Sequence, residues 1–135
     1  MPGSAPRRIP GGAASPDTRA IARAGEDAAV AALRARGYRI LARNVRLRLG
    51  EMDVVADERG TIVFVEVKTR RSAAYGTPAE AVTGRKQRAL LRLAAAYLTR
   101  HALSDRPCRF DVAEVWVGPG GRVIRVEILR DAFRA

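Results

Sequence analysis

The chain has 135 residues, of which 47% are hydrophobic and 29% charged, with a formal net charge of +11. This balance excludes a disordered or fibrous chain and fits one domain with its own core, while no apolar run approaches the roughly 18–20 residues that span a bilayer. A single cysteine, Cys108, excludes an internal disulfide and a zinc cluster and suits a reducing, cytoplasmic setting, and the positive field selects polyanions as partners, nucleic acid before an acidic membrane surface or protein.

Residues 1–15 (MPGSAPRRIPGGAAS) carry Pro, Gly, Ala and Arg without periodicity. We read 1–16 as a disordered basic tail and 17–135 as a single domain. The tail lacks acids, so an organelle transit peptide is the alternative. Ser15 or Asp17 with Pro16 offers a helix start, and Gly37 stops a helix running from Thr18 to Arg36. Ala22, Glu26, Ala29 and Leu33 share one face of it, with Glu26 the odd member. Tyr38 to Leu49 reads as a strand, and Gly50 permits a bend or bulge. Met52–Ala56 and Thr61–Thr69 then flank the turn Asp57-Glu58-Arg59-Gly60. The second run is β-branched and apolar at both parities, which marks a central strand buried on both faces. Arg70 to Pro78 is expected as a loop, and Ala79 to His101 as a helix with Leu90, Leu91, Leu93, Ala94, Tyr97 and Leu98 on its apolar side. Arg109–Val117 and Arg122–Leu129 form a last hairpin around Gly118-Pro119-Gly120-Gly121. The order α-β-β-β-α-β-β predicts an α/β (α+β) fold, a mixed sheet with helices packed on it.

Asp53, Glu66 and Lys68 are out of place in an apolar hairpin. Charges in a buried strand cost several kcal/mol unless they are paired or bind a metal, on the order given by ion desolvation. A loop closed over Asp57–Gly60 pairs Asp53 with Phe64 and places Glu66 two residues further along on the same face, at a diagonal of about 7–8 Å. Lys68 follows on that face by the period of two. Two carboxylates so placed can share one hard cation, Mg²⁺ or Mn²⁺, and a lysine beside them can orient an attacking water or stabilise developing charge. Lysine usage supports this, since 23 of the 25 basic residues are arginine and the two lysines are Lys68 and Lys86. The alternative is a structural ion network inside the sheet.

Asp53 followed by Glu66-Val67-Lys68 on the next strand resembles the motif of the PD-(D/E)xK nuclease superfamily. The wider pattern resembles the YraN-like family of small bacterial proteins, which is similar to the archaeal Holliday-junction resolvases. It includes Gly25-Glu26, Gly37-Tyr38, Asn44, Gly50-Glu51-Met52-Asp53, Val63 through Arg70, Gly76, Lys86 and Arg109-Phe110-Asp111-Val112, and it covers residues 20–135. The resemblance implies a restriction-endonuclease-like core. It implies Asp53 and Glu66 as ligands of Mg²⁺ or Mn²⁺, Lys68 as the catalytic lysine, and the backbone carbonyl of Val67 as a further ligand. Glu26 matches the first-helix glutamate that helps organise the metal site, and the resemblance implies it as a further metal ligand beside Asp53 and Glu66. Met52 stands where the superfamily motif has its proline. The implied activity is hydrolysis of phosphodiester bonds in structured or branched DNA, by a homodimer if the target is a two-fold symmetric junction. The alternatives are a nucleic-acid-binding protein of nuclease fold without turnover and, more remotely, a ribosome- or protein-associated factor.

Other polar residues have two readings each. Glu26 either serves the site or pairs with Arg23 or Arg43, and Glu51 is a salt-bridge partner or a support for the site. Lys86 and Gln87 assist the site, as in some related nucleases, or form a solvated helix face. Arg70 and Arg71 meet a nucleic-acid backbone or are ordinary surface charge. Asp111 is expected in a buried ion pair rather than as a ligand, His101 at a helix end without a metal role, and Tyr97 and Trp116 in the core rather than as base-stacking platforms.

Overall fold

The computed structural model describes residues 18–71 and 82–134, so the expected tail and most of the loop before the second helix lie outside the described residues. Helix α1 spans Thr18–Ala35 and strands β1, β2 and β3 span Arg39–Leu47, Gly50–Glu58 and Thr61–Arg71. Helix α2 spans Gly84–Arg100, and β4 (Cys108–Val117) and β5 (Val123–Phe133) close the chain around a short 3₁₀ turn at Pro119–Gly121. The strands form one five-stranded sheet in the order β1-β2-β3-β4-β5. All neighbours are antiparallel except β3 and β4, which run parallel because α2 makes the crossover between them. This is the expected mixed α/β architecture, with each helix covering one face of the sheet.

Helix α1 packs Ala29, Val30 and Leu33 on Val54, Ala56, Val63, Val65, Ala113 and Val115. Its buried stripe starts at Gly25 rather than Ala22, so Glu26 sits on the flank of the contact. A Cβ on Gly25 would come within 2.9 Å of Thr69 Oγ1, so the missing side chain lets α1 approach β3 closely. The helix ends in a Schellman motif: Tyr38 N–H bonds to Leu33 O at 3.1 Å, and Gly37 takes φ +92°.

Helix α2 covers the other face, where Leu90, Leu93, Ala94 and Tyr97 meet Met52, Val55, Ile62, Phe64, Phe110 and Val112. Phe64 packs against Tyr97 and Phe110, and Phe110 stacks on Phe133 at 4.7 Å. Thr83 caps the helix by accepting from Lys86 N–H at 3.2 Å, so the first turn starts after the expected Ala79. The C-terminus repeats the Schellman geometry with Ala102 at φ +56° and Leu103 N–H bonded to Leu98 O. Alanine is strained there, so Ala102→Gly is expected to stabilise the fold by about 0.5–1 kcal/mol, read as a higher Tm in thermal melts.

Strand β3 runs through Arg71, past the expected end at Thr69, because the parallel partner β4 pairs Arg70 with Trp116 and Arg71 with Val117. Tyr97 lies in the core as expected. Trp116 does not: it is half-buried and belongs to neither hydrophobic cluster. Asp111 is fully buried in an ion pair, as expected, with Arg109 Nε at 2.9 Å. No helix among the described residues is long and apolar enough to cross a membrane.

Candidate functional site

The turn between β2 and β3 determines which side chains meet. Arg59 and Gly60 have φ of +53° and +94°, the two-residue loop that matches hairpin twist, rather than a four-residue loop over Asp57–Gly60. Asp57 Oδ1 holds it by accepting from Gly60 N–H at 2.8 Å. The ladder therefore pairs Glu58 with Thr61 and Val54 with Val65. Extended by one pair, it sets Asp53 directly across from Glu66, not across from Phe64. The register differs from the expected one by two residues, which preserves the face. Asp53 and Glu66 are closer than expected, and on the same side.

The two strands part at this pair. Asp53 Oδ2 accepts from Val67 N–H at 2.8 Å, taking the place of a backbone partner. On the other side of β2, Asn44 stands across from Asp53, between the pairs Arg43–Val54 and Val45–Met52, with a left-handed φ of +52°. Alternation breaks here as well: Met52 packs toward α2 and Val54 toward α1, although they are two residues apart.

Glu66 is buried at the end of the apolar face that α2 covers. Burial pushes the Asp53 carboxyl up to about 6; the Val67 N–H opposes this, and the charge of Glu66 and a hydrogen bond to it reinforce it. Both lysines of the chain converge on the same oxygen: Lys86 Nζ is 3.5 Å and Lys68 Nζ 3.9 Å from Glu66 Oε2. Lys86 reaches it from the first turn of α2, where the helix dipole is also positive. The arrangement is an acid pair rimmed by ammonium groups. Two carboxylates without imidazole or thiolate suit a hard cation, and Mg²⁺ is commonly held by one or two carboxylates, with water and substrate phosphate completing its shell.

Glu26 stays apart from this pair. Its Oε1 accepts from Asn44 Nδ2 at 3.0 Å and lies 3.5 Å from Arg43 Nη2, the pairing partner weighed from sequence. Among the described residues no group of three or more His, Cys, Asp or Glu is placed to hold a metal. Glu26 thus reaches the site through Asn44, which stands across from Asp53.

The expected nucleic-acid contacts divide. Arg71 is exposed at the end of β3. Arg70 lies along the sheet surface, its side chain 16% exposed and 3.4 Å from Glu114 of the neighbouring β4. Gln87 Nε2 donates to Val82 O at 2.8 Å, which fixes the chain entering α2. Glu51 pairs loosely with exposed Arg46 at 3.9 Å. Glu114 was overlooked in the sequence although it is buried; its signal is the same as that of Asp111, a lone acid in the apolar run of β4.

A model of the uncharacterised protein family UPF0102 matches residues 25–115. A UPF0102 protein of Symbiobacterium thermophilum is 56% identical over 118 residues, covering 87% of this chain and 99% of its own length. Relatives from Moorella thermoacetica and Geobacter sulfurreducens are 53% and 44% identical, over 81% and 93% of this chain and 91% and 97% of their own lengths.

Proposed function

The chain belongs to the uncharacterised protein family UPF0102, and we propose that it is a metal-dependent endonuclease-like protein hydrolysing phosphodiester bonds in structured or branched DNA. One observation carries this reading: Asp53 and Glu66 face each other where two strands part, with both lysines of the chain on Glu66. Mg²⁺ or Mn²⁺ bound there would supply neutralisation of the phosphate and a water of lowered pKa. Asp53 and Glu66 would hold it, with the carbonyl of Val67 as a further oxygen by the resemblance to PD-(D/E)xK nucleases. Lys68 would orient the attacking water, and Lys86 would draw the phosphate toward the start of α2. Arg71 and the net charge of +11 would gather the polyanion. On a four-way junction the protein would act as a homodimer, by the symmetry of that substrate.

Glu26 is assigned a positioning role through Asn44. Glu26→Gln is expected to lower cleavage by about 10–100-fold, the range for outer partners of a metal site, well short of the loss on changing Asp53. Side-by-side rate measurements on the two variants check this order.

The test uses junction, flap, single-stranded and duplex DNA incubated with the protein and Mn²⁺. Cleavage that requires Asp53 and Glu66 is expected on at least one of these. Absence of such cleavage on all four overturns the enzyme reading. The second reading, binding without turnover, is favoured by the lack of a third acid at the pair among the described residues. It predicts salt-dependent DNA binding, equal in wild type and Asp53→Ala, with no cleavage by either.

A further inference from the structure

The α2-side face of the sheet continues past the end of its apolar cover. Ile62 and Phe64 of β3, and Phe110 and Val112 of β4, lie in the cluster under α2. Alternation then puts Glu66, Lys68 and Arg70, and beside them Glu114 and Trp116, on that same face. The registers align them in rows across three strands: Lys68 with Glu114 and Glu127, then Arg70 with Trp116 and Arg125. The second row is an aromatic ring between two guanidinium groups. It lies one row beyond Lys68, roughly 8 Å away at Cα by the strand spacing and rise.

Trp116 is an unusual occupant of this position. It is half-buried and outside both cores. The guanidinium of Arg125 lies over one face of its ring, 5.0 Å from the centroid, on a side chain that is itself 58% exposed and must move aside for a base to stack on that face. Its indole Nε1 is buried and has no hydrogen-bond partner among the described residues, although buried tryptophan N–H groups usually find one. A half-buried ring outside both cores and set among guanidinium groups is matched by a ligand with both a π-face and an anionic group. A nucleotide has both.

The geometry points to Trp116 as a stacking platform, flanked by Arg70 and Arg125, for an unpaired nucleotide next to the phosphodiester held at Asp53, Glu66 and Lys68. This rests on the nuclease reading and narrows its substrate. Bases inside a duplex stack on one another and leave no π-face for the ring, so the DNA must be single-stranded or have an extrahelical nucleotide beside the cut.

Trp116 is the only tryptophan, so the intrinsic indole fluorescence of the full chain reports this position alone. The wild-type protein is titrated, in EDTA to prevent cleavage, with fluorescently end-labelled single-stranded DNA and with a blunt duplex of the same sequence. Label anisotropy follows binding and indole emission follows contact. Quenching of the indole on saturation with the single strand, and little quenching with the duplex, is expected. Trp116→Ala is expected to weaken single-strand binding about tenfold or more, with Trp116→Phe losing less. Both should keep the wild-type melting profile, since neither core contains the ring. Anisotropy showing binding while the indole emission stays unchanged overturns the stacking role and leaves the nuclease reading standing. An absence of binding to either DNA overturns both.

Discussion

Asp53→Asn is expected to abolish Mn²⁺-dependent cleavage, by about 10³-fold or more, and at the same time to make the protein more stable at neutral pH. The first effect follows from removing a charged oxygen from a two-carboxylate site. The second follows from the environment of Asp53, whose carboxyl is pushed up to about 6, first by burial and further by Glu66. A group whose native pKa is raised contributes stability that is complete below the unfolded value near 4 and is lost as pH rises through 6. The ionised wild type at pH 7.5 therefore has a penalty that the neutral amide escapes, on the order of 2 kcal/mol. At pH 4 the two proteins should melt together. Mn²⁺ should raise the Tm of the wild type by mass action and leave that of Asp53→Asn unchanged, and the metal effect should fade below pH 6, where the ion competes with a proton. Melts at pH 4 and 7.5, with and without Mn²⁺, read all of this without an activity assay. A variant less stable than wild type at pH 7.5 would show that Asp53 is a structural residue.

Asp111→Ala is expected to have the largest effect on the fold, a loss of about 3–5 kcal/mol. The Asp111 carboxylate is fully buried and accepts from Tyr38 OH at 2.7 Å, Arg109 Nε at 2.9 Å and the backbone N–H of Asp131 at 2.9 Å. Arg109 also binds Glu58 at 2.6 Å, and Glu58 receives Arg130 at 2.8 Å. The network joins the end of α1, the β2–β3 hairpin and both strands of the last hairpin. Truncating Asp111 removes one of the two carboxylates that hold the half-buried Arg109, deprives the buried Tyr38 hydroxyl of its acceptor and releases the bend of β5, where Asp131 has a left-handed φ of +53°. Asp111→Asn keeps one acceptor and should cost less. Urea unfolding of the two variants checks the order, and DNA binding by the folded fraction should be unchanged.

Both residues were visible in the sequence for the same reason. Each is an acid in a run too apolar to leave it unpartnered, and the hairpin, the parity and the lysine bias suffice to bring Asp53, Glu66 and Lys68 to one face. The element order and the sheet class were legible too, because a period of two and a period near four are local properties of the chain. Other features needed three dimensions. The hairpin register depended on which residues adopt positive φ, and Arg59 does so without being glycine or asparagine. That choice moved Glu66 from a diagonal to a direct neighbour of Asp53. Glu26 shares the α1 surface with the buried stripe, but the rotation of the helix, set by the close approach at Gly25, directs it to Asn44 and Arg43. Lys86 and Glu66 are 20 positions apart in sequence, and only the crossover of α2 brings them within 3.5 Å. Trp116 has the composition of a core residue and the position of a surface one, because the apolar cover of α2 ends before its row. The sequence alone determined the elements and the acids that need a partner, since those follow from short-range periodicity and the cost of desolvating charge. The tertiary structure alone decided which partner each acid found, since that depends on one turn, one helix rotation and the length of one helix over the sheet.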